Sequence, residues 1–91
     1  MNERHRQAVT ITNTLGLHAR AAANFVKMAN RFRCTVSVQK GTVSVNGKSI
    51  MGVLMLAAAK GTAITIHAEG TDAQEAVHTL CHLVQQRFGE E

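Results

Sequence analysis

The sequence predicts a small α+β domain in the order βαββαβα, an open-faced sandwich with helices covering one face of a sheet. Three observations predict it. Short stretches of strict apolar alternation and stretches of 3.6-residue periodicity succeed one another in that order along the chain. Glycine and asparagine fall at the junctions, where the chain has to turn. At 91 residues with 45% apolar content, the chain has room for one core, which helices complete by packing on a single sheet face. Three phenylalanines, with no tryptophan or tyrosine, make that core aliphatic.

Met1 to Arg6 is polar and charged without a pairing pattern; it is expected to fray, with His5 solvated. The first strand spans Gln7 to Asn13, with Val9 and Ile11 facing the core and Thr10 and Thr12 facing out. The first helix runs from His18 to about Arg31, on an apolar stripe of Ala22, Phe25, Val26 and Ala29. Its opposite stripe is Arg20, Asn24, Lys27 and Arg31. Thr35–Val38 and Thr42–Val45 alternate on either side of Gln39-Lys40-Gly41, which reads as a hairpin. Asn46-Gly47 turns the chain again, and a helix from Ser49 to Ala59 has Ser49 as its N-cap and Gly61 beyond its end, with Gly52 weakening its interior. Val53, Leu56 and Ala57 share its buried face; Ile50, Met51 and Leu54 project elsewhere. The fourth strand is Ala63–Ala68, with Ile64 and Ile66 inward and His67 exposed. Thr71-Asp72-Ala73-Gln74 opens the last helix in a capping-box pattern, its core stripe is Ala73, Ala76, Val77, Leu80, Val84 and Phe88, and Gly89 ends it. A ferredoxin-like arrangement with an added helix shares the order of the first six elements, so pattern alone leaves both topologies open.

A formal charge of +4 and a pI near 9.7 favour an acidic partner. Nucleic acid is disfavoured, because stacking surfaces need aromatics, which this chain lacks outside its three phenylalanines. The longest apolar run, Val53 to Ala59, is too short to span a bilayer, and no signal-peptide pattern opens the chain. Cys34 and Cys81 have no metal-ligand spacing and read as reduced, buried spectators of a cytoplasmic protein. His78 and His82 stand one helical turn apart near Glu75, but opposite the core stripe and without a third strong ligand; no metal site and no cofactor are expected.

The chain is organised around Asn13-Thr14-Leu15-Gly16-Leu17-His18-Ala19-Arg20, where a strand turns into a helix. His18 falls at or beside the helix N-cap, next to first-turn amides that have no intrahelical partner and carry the positive end of the macrodipole. Such a place suits an anion, such as a phosphoryl group on a ring nitrogen, with Arg20 close by. The residues alone leave two readings: a phosphoryl-carrying histidine, or a surface histidine at a turn.

Leu15-Gly16-Leu17-His18-Ala19-Arg20 resembles the active-site segment of the HPr family, the histidine phosphocarriers of the bacterial phosphotransferase system. Asn46-Gly47-Lys48-Ser49-Ile50-Met51-Gly52-Val53-Leu54 resembles that family's regulatory-serine segment. The two motifs stand in the family's order and spacing, and the likeness runs from about Gln7 to Phe88. One departure is Ala21, where the family usually has proline after the arginine. Alanine is an excellent helix former, so the helix is expected to survive the change.

The resemblance implies a single HPr-like domain over residues 1–91, its four-stranded antiparallel sheet covered on one face by three helices. It implies that His18 accepts a phosphoryl group from Enzyme I, through Nδ1 in the family, and donates it to an Enzyme IIA. Arg20 and the amides of Ala19 and Arg20 would stabilise the phosphoryl oxygens. The chain would then be a monomeric carrier rather than an independent turnover enzyme. It also implies regulatory phosphorylation of Ser49 by an HPr kinase/phosphorylase, where Lys48 and the helix start would favour the added charge. Ile50, Met51 and Leu54 beside Arg20, Lys27 and Arg31 are expected to dock both partners. The alternative is a regulatory binding module acting through Ser49 alone; family members of that kind lack the histidine, and this chain retains it.

Overall fold

The elements are β1 (Glu3–Thr10), α1 (Ala19–Ala29), β2 (Thr35–Lys40), β3 (Val43–Asn46), α2 (Ile50–Met55), β4 (Ala63–Gly70), α3 (Ala73–Gln85) and a closing 3-10 turn, Arg87–Gly89. This computed structural model describes residues 3–89. The strands form one sheet in the order β1-β4-β2-β3, and each neighbouring pair is antiparallel. With β1 at an edge and β4 between β1 and β2, the ferredoxin-like alternative, in which the third strand lies between the first two, is excluded. Val9 pairs with Ile64 and Val38 with Ile66, and all four are buried, so alternation gives the sheet one apolar face. Helix α3 packs on β1 and β4, and α1 packs on α2 and α3. Phe25, Leu80, Val53 and Val84, each at most 1% exposed, fill the space between the layers.

Several boundaries differ from expectation, each for a physical reason. Glu3 to Arg6 does not fray: these residues pair with Gly70 to His67 of β4. An edge strand needs no apolar pattern on its open side, and charge there guards against pairing with another chain. Met1 and Asn2, the rest of that expectation, lie outside the described residues. His5 is half-buried, with Nε2 3.6 Å from a Glu3 carboxylate oxygen, rather than solvated. The strand ends at Thr10, although Ile11 still exchanges backbone bonds with Gly61 and Thr62 (2.7 and 2.9 Å). His67 is half-buried, because its ring meets the Gln39 side chain at 3.1 Å.

Helix α2 stops at Met55, short of Ala59, and Ala57 takes a φ of +48°. That left-handed residue turns the chain, so Ala57 is exposed and Ala58 takes the buried place expected of it. Helix α3 ends at Gln85; Arg87 and Phe88 then adopt φ values of +56° and +57°. This folds the Phe88 ring back into the core at 4% exposure, burial offsetting the backbone strain.

Asp72 is the N-cap of α3, but its side chain makes no capping bond. Its carboxylate instead accepts from the backbone N–H groups of Arg33 and Cys34, both at 2.9 Å. The capping-box pattern is therefore used to tie the start of α3 to the entry of β2. The Arg33 bond, followed by those from Cys34, holds the Asp72 carboxyl below its ordinary range. A depressed folded pKa stabilises above the unfolded value and is lost as pH falls through the folded one. Asp72→Ala should therefore lower the urea midpoint at neutral pH, and the gap to the parent should close below about pH 3. A gap that persists unchanged into acid would show that the carboxylate charge contributes nothing.

Candidate functional site

The loop from Asn13 to His18 is held from both sides. Within it, Gly16 N–H donates to Asn13 O at 3.2 Å, and the buried Asn13 amide donates to Gly16 O at 2.8 Å. From outside, Leu17 N–H donates to Ala58 O at 2.9 Å. Gly16 sits at φ +66°, and a Cβ there would meet Ala58 O at 2.5 Å and Ala59 Cα at 2.9 Å. Leu17 is buried, which anchors the loop and leaves the next residue at its rim.

That residue is His18, the N-cap of α1, extended at φ −75° and ψ −179° and half-buried. Its carbonyl accepts the first intrahelical bond, from Ala22 N–H at 2.8 Å. The amides of Ala19, Arg20 and Ala21 thus precede the helical ladder, and the His18 side chain does not cap them. No acidic residue occupies this first turn, so nothing there opposes an incoming anion. Ala19 and Arg20 are exposed, and Ala21 is fully buried in the core. An imidazole beside first-turn amides and a guanidinium two residues on form an arrangement suited to carrying a phosphoryl group.

Ser49 is the N-cap of α2, and its hydroxyl accepts from Gly52 N–H at 3.1 Å. Lys48, expected to favour a charged group on Ser49, is committed elsewhere: its Nζ donates to Phe32 O at 2.6 Å. Asn30 also reaches Lys48 O at 3.4 Å, so the end of α1 and the approach to α2 are tied together. Ile50 and Met51 are exposed, at 45% and 69%, whereas Leu54 is partly buried against the core. The chain carries two further exposed apolar side chains in this region that patterning did not single out, Leu15 at 71% and Met55 at 74%. Met55 follows Met51 by one helical turn, a spacing that could have found it; Leu15 lies in the loop bonded to Ala58. Arg20 and Lys27 are exposed on α1; the helix ends at Ala29, short of the expected Arg31, which is exposed just past it, and Asn24 of the same stripe is half-buried and donates to Phe88 O at 3.4 Å.

Cys34 and Cys81 are buried, and burial pushes both thiols up to about 11, helped at Cys34 by the Asp72 carboxylate. Neither offers a thiolate near neutral pH. His78 and His82 are exposed on α3, and among the described residues no three His, Cys, Asp or Glu side chains gather as a metal site. No helix among them is long and apolar enough to cross a membrane.

A family model described as the PTS HPr component phosphorylation site matches residues 5–86. The phosphocarrier protein HPr of Pseudomonas aeruginosa is 53% identical over 83 residues, spanning 90% of this chain and 92% of its own. That of Neisseria meningitidis serogroup A is 49% identical over 85 residues, spanning 93% and 96%. Among solved structures, an HPr from Thermoanaerobacter tengcongensis superposes with a TM-score of 0.92 at 41% identity, over 96% of this chain and 98% of its own.

The close approach at Gly16 makes a specific demand. Gly16→Ala should lower stability by about 2 kcal/mol or more, since a left-handed alanine there also strikes the Ala58 carbonyl. Gly41→Ala, at φ +59° with nothing within 4 Å, should cost only the backbone term, about 1–2 kcal/mol. Equal losses in urea unfolding would mean that the loop does not need this contact.

Proposed function

Because this chain belongs to the HPr family of phosphocarriers, we propose that His18 is its phosphoryl-carrying residue, loaded by Enzyme I and unloaded onto an Enzyme IIA of the phosphotransferase system. The observation that carries the reading is the position of His18 at the N-cap of α1, inside the matched segment, with the first-turn amides ahead of the helical ladder. A neutral ring nitrogen attacks phosphorus in line as the bond to the donor breaks, and the next acceptor repeats the exchange in reverse. The protein's part in such a transfer is positioning and charge stabilisation. The amides of Ala19 and Arg20 and the Arg20 guanidinium are the groups that face the growing negative charge. No metal or nucleotide takes part within this chain, which works as a cytoplasmic monomer and a carrier rather than a turnover enzyme.

Ile50, Met51 and Leu54 form the centre of the surface that receives both partners, with Arg20, Lys27 and Arg31 as its basic rim. Exposure of Ile50 and Met51 supports this; Leu54, half covered by the core, contributes from beneath. Ser49 is the regulatory position, a substrate for an HPr kinase/phosphorylase. Since its hydroxyl now caps α2 and Lys48 is bound to Phe32 O, phosphorylation acts by placing charge beside the apolar contact rather than by recruiting Lys48.

Incubation with phosphoenolpyruvate and Enzyme I should give one acid-labile phosphoryl group, and His18→Ala should abolish it with the melting transition intact. Equal labelling of that variant would refute the assignment. Arg20→Ala should slow transfer roughly 10- to 100-fold with little change in stability.

Met51→Glu should weaken Enzyme I binding at least about tenfold without unfolding, as a carboxylate enters an apolar contact and meets an acidic partner. Ser49→Asp, which keeps a good N-cap, should do so more mildly. Undiminished binding by Met51→Glu would place the docking surface elsewhere.

A further inference from the structure

The sheet face turned away from the helices bears two adjoining hollows of about 650 and 440 Å³. Arg6 and His67 line both. They are register partners on β1 and β4, and His67 is paired in turn with Ser37 on β2. Directly paired antiparallel residues project to the same face, so Arg6, His67 and Ser37 form one row across the sheet.

A chain of hydrogen bonds sets the polarity of that row. The Gln39 side-chain N–H donates to Gly41 O at 2.9 Å, which leaves Gln39 Oε1 toward His67 Nε2 at 3.1 Å. An amide oxygen only accepts, so Nε2 carries the ring proton and Nδ1 is the acceptor of the neutral ring. Around the row, β1 contributes the guanidinium groups of Arg4 and Arg6, while β2 supplies only the neutral Thr35, Ser37 and Gln39. Glu69 on β4 is the opposing carboxylate, and Arg4 Nε lies 3.5 Å from it. His5 borders the larger hollow and lies 3.6 Å from Glu3.

We propose that this open face is a second ligand site, binding a compact phosphate-bearing small molecule with the Arg6 guanidinium on its oxygens and the Ser37 hydroxyl as a further donor. The hollows have the size of small-molecule sites. Their lining is rich in the N–H and O–H donors that a phosphate dianion requires, and Arg6 faces no neighbouring carboxylate in its own row. The absence of aromatic side chains from this face denies it the stacking surface that single-stranded nucleic acid uses.

Inorganic pyrophosphate, titrated at low salt into the 15N-labelled full chain, tests this. The amides of Arg6, Ser37 and His67 should shift together, with an affinity distinct from any effect at Ala19 to Ala21. Arg6→Ala should weaken the sheet-face binding about tenfold and leave the response at Ala19 to Ala21 unchanged. Shifts confined to Ala19–Ala21, or a sheet-face affinity indifferent to Arg6→Ala, would overturn the proposal. So would salt-dependent binding of single-stranded RNA to this face with no response to pyrophosphate.

Discussion

One backbone contact orders most of this molecule: Leu17 N–H on Ala58 O at 2.9 Å, made possible because Gly16 has no Cβ to strike that same carbonyl. The contact joins the loop before α1 to the segment after α2, two places far apart in sequence. On one side it fixes where α1 begins and hence where His18 and the first-turn amides point. On the other it accounts for the brevity of α2. The chain must leave the helix at Met55 and pass through left-handed Ala57 for Ala58 to present its carbonyl and bury its methyl group. Backbone groups withdrawn from water must find partners, and here two irregular segments satisfy each other.

The lysines divide by the same logic. Lys40 Nζ donates to Leu56 O at 3.0 Å and Lys48 Nζ to Phe32 O at 2.6 Å, so each ammonium serves carbonyls that lie just beyond a helix end. These two charges are architectural, although sequence counts them with the rest of the +4. Arg20 and Lys27 on α1, and Arg31 just past its end, remain exposed to solvent. Asp72 completes the pattern. A residue with every local mark of a helix cap spends its carboxylate on the N–H groups of Arg33 and Cys34, bridging to the start of β2.

The sequence by itself determined the seven elements and their order, the buried stripes of α1 and α3, the alternating core of the sheet and the place of His18 at a helix start. These rest on local periodicity and on glycine and capping chemistry, which act over a few residues and are therefore written in the order of the chain. The family was legible from the two motifs around His18 and Ser49. Tertiary structure alone decided that β4 lies between β1 and β2, that Glu3 to Arg6 extend the edge strand and that Asp72 reaches β2. It likewise decided that Leu54 is half covered, that Lys48 is bound to Phe32 O and that Ala58 rather than Ala57 is buried. Each of these depends on which distant group arrives at hydrogen-bonding or packing distance, and that choice is made by closure of the whole core, beyond the reach of any local pattern.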